Sequence, residues 1–409
     1  MKRPVHATNL ASSTAYSDER YAHPFFLPTP PIQREAFNGH VSLNSVNKEK
    51  VGPIPPVKRG GKITLQDIIG QTGVKEIEHL GELRFHALGD TGVNHAEMAQ
   101  KVSDDMTTDF KAGAGALNPA FLFHLGDVVY GNDKAHHYGE RFYAPYRGYP
   151  GKIIAIPGNH DGEVRSPADD PALSAYMDNF CADAAAIPPQ AAATGIFRKT
   201  MTLPGAYWCL EAPFVRFIGL YSNSVENPGF LEGKGKAGAF DLSQINWLSD
   251  TLSDIATKNK KDQKALVIAV HHPPFSQGGQ GGHSGSLEMS GALDSACEKA
   301  GVVPDAFLSA HAHNYQRYTR RTNGRQIPYV VAGTGGIGVQ GIPNATGEPV
   351  PGTNDTTFDA SDKTHGYLFV TVSKIKMKFE FWPLGIEHTR PVDPFTVDLV
   401  HHTVATGVN

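Results

Sequence analysis

From residue 82 onward, short apolar runs recur along the chain, and most of them stop at a polar group. "ELRFHALGD" (82–90), "PAFLFHLGD" (119–127) and "KIIAIPGN" (152–159) are the first three. Runs of this length without polar alternation predict strands buried on both faces. Between the first two, Ala99, Val102, Met106 and Phe110 recur at helical spacing, with Gly113 as a stop, which predicts a strand–helix–strand unit. "YWCLEAPFVRFIGLYS" (207–222) predicts two strands joined by a turn at Ala212-Pro213. Ile245, Leu248, Leu252 and Ile255 share one helical face, with Ser243 the expected N-cap. "KALVIAVHH" (264–272), "AFLSAHAH" (306–313) and "IPYVVAGTGG" (327–336) predict three more buried strands, and 366–382 a closing hairpin.

The first 80 residues break this rhythm. "HPFFLPTPPIQ" and "VGPIPPVKRGGK" are Pro-rich and predict an extension, residues 1–80, that wraps the main domain or lies partly loose. A short helix is expected near "TLQDIIGQ". Residues 81–400 then read as one large α/β domain with layered sheets and flanking helices, and 401–409 as a C-terminal tail.

Composition narrows the function class. Apolar residues are 40% of the 409, enough for a sizeable core. Acidic residues number 41 against 37 basic, a net charge of −4, so bulk electrostatics predict neither a nucleic-acid nor a membrane partner. The three cysteines, Cys181, Cys209 and Cys297, form no CxxC pair, which argues against a disulfide framework or a cysteine–zinc site. No stretch approaches the roughly 20 apolar residues of a membrane helix, and the N-terminus carries no apolar signal core. The expected location is cytoplasmic by default, with export by a trimmed or non-classical route left open.

The chemistry gathers where the apolar runs end. Asp90 closes the first, Asp127 and Tyr130 follow the second, and Asn159 and His160 the third; His271 follows the sixth run, and His311 and His313 the seventh. Strand C-terminal ends are the usual ligand side of α/β sheets. Carboxylates, an amide oxygen, a phenol and imidazoles without thiolate are ligands for Fe, Mn or Zn. The count exceeds what one ion needs and suits two ions sharing a carboxylate, a recurring design for phosphoester hydrolysis. On an extended segment His311 and His313 would point to one side and could serve the two ions separately. The Gly-rich stretch 277–285 reads as a lid or a surface loop, and "GTGG" (333–336) as a tight turn near the site.

The order GD-x-G, GD-x-x-Y, GNH-D, H-x-P and H-x-H resembles the calcineurin-like metallophosphoesterase superfamily, and most of all its purple acid phosphatase branch. The resemblance covers about residues 82 to 385. Most of the superfamily has D-x-H first; here Gly92 replaces that histidine. In the purple branch the tyrosine of GD-x-x-Y supplies the missing ligand, and Tyr130 stands there. The resemblance implies an αββα sandwich of two mixed sheets flanked by helices. It implies Fe(III) held by Asp90, Asp127, Tyr130 and His313, and a divalent ion (Fe, Zn or Mn) held by Asp127, Asn159, His271 and His311. It makes His160 the group over the substrate that protonates the leaving oxygen, and His283 a second catalytic histidine, with His272 its alternative. Ala310 stands where the family usually has Gly before H-x-H. The activity implied is hydrolysis of phosphate monoesters in acid by a metal-held hydroxide, on a small-molecule phosphoester. A phosphodiesterase with the same metals and a metal-stabilised binding protein without turnover are the alternatives, and the oligomeric state is left open.

Overall fold

The computed structural model describes residues 51–407 apart from 94–95, 167–168, 227–228, 237–238, 279–282, 346 and 386–390. Residues 1–50 of the expected extension, and 279–282 of the Gly-rich stretch, lie outside the described residues. In chain order the strands are β1 Lys62–Thr64, β2 Leu83–Leu88, β3 Phe121–His124, β4 Lys152–Ala155, β5 Trp208–Glu211, β6 Val215–Leu220, β7 Gly233–Lys234, β8 Phe240–Asp241, β9 Ala265–Val270, β10 Ala306–Ser309, β11 Tyr315–Thr322, β12 Arg325–Ala332, β13 Thr356–Asp362, β14 Gly366–Val372, β15 Lys376–Pro383, β16 Val392–Asp398 and β17 Thr403–Thr406. The helices are α1 Leu65–Leu80, α2 Glu97–Thr107, α3 Lys134–Tyr138, α4 Asn159–Gly162, α5 Ser174–Phe180, α6 Pro189–Ala193, α7 Ser243–Asp262 and α8 Leu287–Ala300.

One sheet has the order β1-β5-β6-β9-β10-β12-β11-β13 and the other β17-β16-β15-β14-β2-β3-β4. Each has a parallel centre: β6, β9, β10 and β12 in the first, β2, β3 and β4 in the second. Their antiparallel flanks make both sheets mixed. The apolar runs follow from burial on two sides. In β9, Ala265, Val267 and Ala269 join the core between the sheets, whereas Leu266, Ile268 and Val270 join an outer core with Leu248, Leu252 and Ile255 of α7 and Leu293 of α8. β10 repeats this, with Ala306 and Leu308 inward and Phe307 outward. A period of two with both faces covered leaves no place for a polar residue until the strand ends. Phe217 of β6 meets Phe85 of β2 edge-on at 5.2 Å, which is where the two sheets face each other.

Several local expectations shift. The short helix expected is the first part of α1, which breaks at Gly70 (φ 76°) and resumes to Leu80; it begins with a capping box, in which the Asp67 N–H donates to Thr64 Oγ1 (3.3 Å) and the Thr64 N–H to Asp67 Oδ2 (2.8 Å). Ile68, Ile69 and Ile77 are buried in the main core and β1 pairs with β5, so residues 62–80 are integral to the domain. α2 stops at Thr107, and Phe110 is buried just beyond it. Ser243 is the first residue of α7 and not its cap; Asp241 accepts the Ser243 N–H at 2.9 Å. The hairpin β14/β15 forms but does not close its sheet, because β16 and β17 add to it, and β17 lies within the expected tail. β11 escapes the pattern because it buries arginines. Arg317 pairs with Asp393 (2.6 Å) and Asp359 (3.1 Å), and Arg320 with Asp294 and Asp355 (2.8 Å each). Among the described residues no helix is long and apolar enough to cross a membrane.

The Thr64→Ala variant loses the reciprocal cap and should be less stable by about 1 kcal/mol, read as a lowered urea midpoint at unchanged m-value.

Candidate metal centre

The parallel strands deliver their polar ends to one place. Asp90, Asp127, His271 and His311 lie just past β2, β3, β9 and β10, and Asn159 opens α4 after β4. Three of these positions have left-handed backbones: Asp90 at φ 61°, Asp127 at 53° and His311 at 64°. Such conformations cost on the order of 1 kcal/mol each for a residue with a Cβ. They persist because the chain around them is pinned. The Asp90 N–H donates to Gly126 O (3.0 Å), Thr91 N–H to Asp127 O (3.2 Å) and Tyr130 N–H to Gly92 O (2.8 Å). The β2–β3 ladder thus runs on past its strands, with a last bridge between Gly92 and Val129. At Gly92 there is no room for a side chain, since a Cβ would lie 1.9 Å from the Val128 carbonyl oxygen. At Gly158 a Cβ would lie 2.1 Å from Asp127 Oδ1.

Asp90, Tyr130 and His313 form one group. The Tyr130 hydroxyl donates to Asp90 Oδ1 at 2.8 Å and lies 3.5 Å from His313 Nε2, which is 3.8 Å from Asp90 Oδ1. Burial, then the charges of Asp127 and Asp90, push the phenol well above its usual value. The His311 N–H donates to Asp90 Oδ2 at 2.7 Å. The GTGG turn closes over this group, since a Cβ on Gly333 would lie 2.4 Å from Asp90 Oδ2.

Asp127, Asn159, His271 and His311 form the second group, and they share a feature. Asp127 Oδ2, Asn159 Oδ1, His271 Nε2 and His311 Nε2 are buried atoms without a hydrogen-bond partner among the described residues. His271 Nδ1 donates to the Leu125 carbonyl (2.9 Å), which turns Nε2 toward Asp127 Oδ2, 3.3 Å away but not aligned for a hydrogen bond. Ligand atoms of Asp127, His271 and His311 lie within 4.8 Å of one another. Burial lowers the His271 pKa, but Asp127 and Asp90 outweigh it and push it up to about 9. A positive charge is therefore favoured at Nε2, whether a proton or a metal ion. His311 is held well below its usual value by burial and by the surrounding histidines, which keeps the neutral, ligating form. These donors fit a hard or borderline cation. The H-x-H segment is not extended as expected: β10 ends at Ser309 and the chain turns through Ala312 N–H to Ala310 O (2.7 Å) and Asn314 N–H to Ala312 O (2.6 Å). His311 and His313 still reach the two groups. The Ala310 methyl is accommodated because its neighbour is Gly89, where a Cβ would lie 2.5 Å from it.

His160 lies beside both groups. Its N–H donates to Asp127 Oδ1 (2.9 Å), its Nδ1 bonds Glu163 Oε2 (3.0 Å), and its ring rests 4.5 Å from that of Tyr130. Burial opposes charge on this ring, yet Asp127 and Glu163 raise its pKa. The His283 ring is 4.0 Å from His311 and 5.2 Å from His313. His272 is engaged elsewhere: Nδ1 bonds Ser222 Oγ (2.7 Å) and Nε2 bonds the Glu226 carbonyl (3.2 Å). All nine predicted site residues therefore converge. Three acidic residues were not singled out from sequence. Asp161 stands inside the GNHD motif and accepts the N–H groups of Gly158 (2.8 Å), Val128 (3.1 Å) and Val129 (3.3 Å), tying two ligand loops together. Glu163 follows three residues after His160, a spacing that was available as a signal. Glu226 belongs to no motif and carries none.

The sequence model of a family described as calcineurin-like phosphoesterase matches residues 83–315. No curated protein matches the chain. Among solved structures the chain is similar to PhoD, with a TM-score of 0.50 and 12% identity over 80% of this chain and 72% of that one. It is similar to GAP50, the anchor in the inner membrane complex of Plasmodium (TM-score 0.48, 14% identity, 75% and 85% coverage). It is similar also to a dimetal phosphatase from Danio rerio (TM-score 0.41, 11% identity, 78% and 99% coverage). At such identity the likeness to PhoD speaks to the fold alone.

Replacing Asp161 by Ala strips three buried N–H groups of their acceptor and should cost roughly 3 kcal/mol, measured by urea unfolding of the metal-free protein; Asp161→Asn should recover part of it.

Proposed function

The chain belongs to the calcineurin-like phosphoesterase family, and from that premise we propose that it is a dinuclear metal-dependent acid phosphatase of the purple acid phosphatase type, acting on phosphate monoesters. The observation that carries a cation in the second group is the set of unpartnered buried atoms on Asp127, Asn159, His271 and His311, and the two-ion reading is supported by the cluster of Asp90, Tyr130 and His313 beside it. Four orphaned donors converging in a buried site are costly unless a cation satisfies them. Asp90, Asp127, Tyr130 and His313 would hold a ferric ion, and Asp127, Asn159, His271 and His311 a divalent one.

The coupling of Gly92 to Tyr130 supports the branch. The position that carries histidine in most of the superfamily is sterically closed here, and the backbone bond from Tyr130 to Gly92 sets the phenol on Asp90 instead. A phenol buried between carboxylates ionises only against a strong Lewis acid, which favours Fe(III) there.

Two ions bound there would polarise phosphoryl oxygens and lower the pKa of a water. The protein's own groups do the rest. His160, held by Glu163 at Nδ1, keeps Nε2 free to give a proton to the leaving oxygen as water attacks phosphorus in line from the opposite side. His283 lies against His311 and would face the substrate, and burial pushes its pKa down to about 4, so it would meet phosphate as a neutral hydrogen-bonding imidazole. Residues 51–407 would serve as one catalytic unit, with residues 1–50 as its extension.

Purified protein should be pink to purple and contain iron. Tyr130→Phe should bleach the visible band; a colourless, iron-free and fully active wild type would overturn the assignment. Hydrolysis of p-nitrophenyl phosphate should exceed that of its bis-ester at mildly acidic pH. A large preference for the bis-ester would make the enzyme a phosphodiesterase, and turnover of neither ester by metal-loaded protein would favour a binding role.

A further inference from the structure

Glu226 reaches the site from a loop that holds no family motif. Its side chain is mostly buried, with 16% of its surface exposed. It touches groups from two separate segments. Oε2 accepts the Asn159 Nδ2–H at 3.2 Å and lies 3.9 Å from His160 Nε2, while Oε1 lies 3.5 Å from His283 Nδ1. Ligand atoms of Glu226, His283 and His311 lie within 4.8 Å of one another. His311 is also a member of the Asp127–His271–His311 triple, and its Nε2 is buried and unpartnered. Two sets of donors at ligand spacing thus share His311.

The loop is built to hold the carboxylate there. His272 Nε2 donates to the Glu226 carbonyl, while its Nδ1 and its backbone N–H both engage Ser222 Oγ. One residue further on, Asn223 has a left-handed backbone, φ 64°. Its Oδ1 accepts the Gly52 N–H (2.7 Å), and its Nδ2 donates to Gly52 O (3.1 Å) and Glu232 O (2.9 Å). Both ends of the approach to Glu226 are therefore fixed, one to the His271–His272 turn and one to the segment preceding β1.

We propose that Glu226 supplies an additional carboxylate ligand to the ion held by Asp127, Asn159, His271 and His311. This rests on the dinuclear reading above and adds to it a ligand that the motifs do not contain. The site becomes three oxygen donors and two imidazoles. That donor set exceeds the tetrahedral count zinc prefers in closed sites and suits Mn(II) or Fe(II), which take more oxygen ligands. The plainer role, an acceptor that merely orients the Asn159 amide, makes a different prediction, because Glu226→Gln keeps an acceptor and loses the charge.

The test is metal binding, not turnover. Full-length protein is stripped of metal and titrated with Mn(II) and with Zn(II), counting ions per chain and fitting each site. Wild type should take two ions of Mn(II). Glu226→Gln should bind the first as wild type does and the second at least about tenfold more weakly, with a smaller loss for Zn(II). Glu226→Asp keeps the charge one methylene short of the site and should fall between; it decides the matter alone if the Gln variant does not fold. A wild type holding two ions whose second-site Mn(II) affinity is unchanged in these variants overturns the role of Glu226. A wild type that takes fewer than two ions of either metal overturns the dinuclear reading itself.

Discussion

Two carboxylates on adjacent parallel strands, both fully buried, set the terms for the rest of the molecule. Asp90 and Asp127 each lie within 4 Å of the same nitrogen, His271 Nε2, at 3.9 and 3.3 Å. Two like charges at this spacing in a low-dielectric interior repel strongly, and burial alone raises the cost of each. Burial and the Asp127 charge push Asp90 up to about 7 against the pull of His271. The surroundings are arranged to offset this. Asp90 receives the Tyr130 hydroxyl and the His311 N–H, and Asp127 the His160 N–H. Those bonds reach both oxygens of Asp90 but only Oδ1 of Asp127, and leave Asp127 Oδ2 without a partner. The residual demand is for positive charge, which is why the fold makes most physical sense as a cradle for cations.

The backbone meets that demand through its turns. Left-handed φ values at Asp90, Asp127 and His311 aim side chains inward just as their strands end. Glycines stand beside them where chains approach too closely for any side chain. Gly92 is the most consequential of these. Its missing side chain lets the β2–β3 ladder run on to Tyr130, and the same contact excludes a histidine from position 92. The closed space at position 92 and the placement of the Tyr130 phenol on Asp90 are therefore one structural feature.

How much of this was legible in the sequence depends on which force set each element. The strands of the parallel centres were legible, because burial on both faces leaves an uninterrupted apolar run, as the alternation of β9 between two cores demonstrates. The places where the runs end were legible for the same reason, and with them Asp90, Asp127, Tyr130, Asn159, His160, His271, His311 and His313, whereas His283 came from the family resemblance alone. β11 was not, since polar residues break its apolar run: Gln316, Arg317 and Thr319 are buried and Arg320 partly so, the two arginine charges being met by Asp393, Asp359, Asp355 and Asp294 from distant segments. The full length of α1 was hidden by Gly70, which interrupts the helical backbone at φ 76°. Glu226 was hidden because its significance arises only when its loop is folded against Asn159 and His283.

That last contrast suggests a division of labour within the site. Asp90, Asp127, Asn159, His271 and His311 sit where strands end and inherit their positions from two rigid sheets. Glu226 and His283 sit on connections, and the position of Glu226 depends on side-chain anchors such as Asn223 to Gly52 and His272 to Ser222. Strand-end ligands cannot move without disturbing the core, so the sheets fix where charge is needed. Loop residues can change without that cost. The loops are therefore where charge can be added beside the strand-end carboxylates without disturbing the core. Glu226 and His283 lie within 3.5 Å of each other from opposite connections. That pair sits beside the strand-end residues and not among them, so its chemistry can change while the two sheets stay fixed.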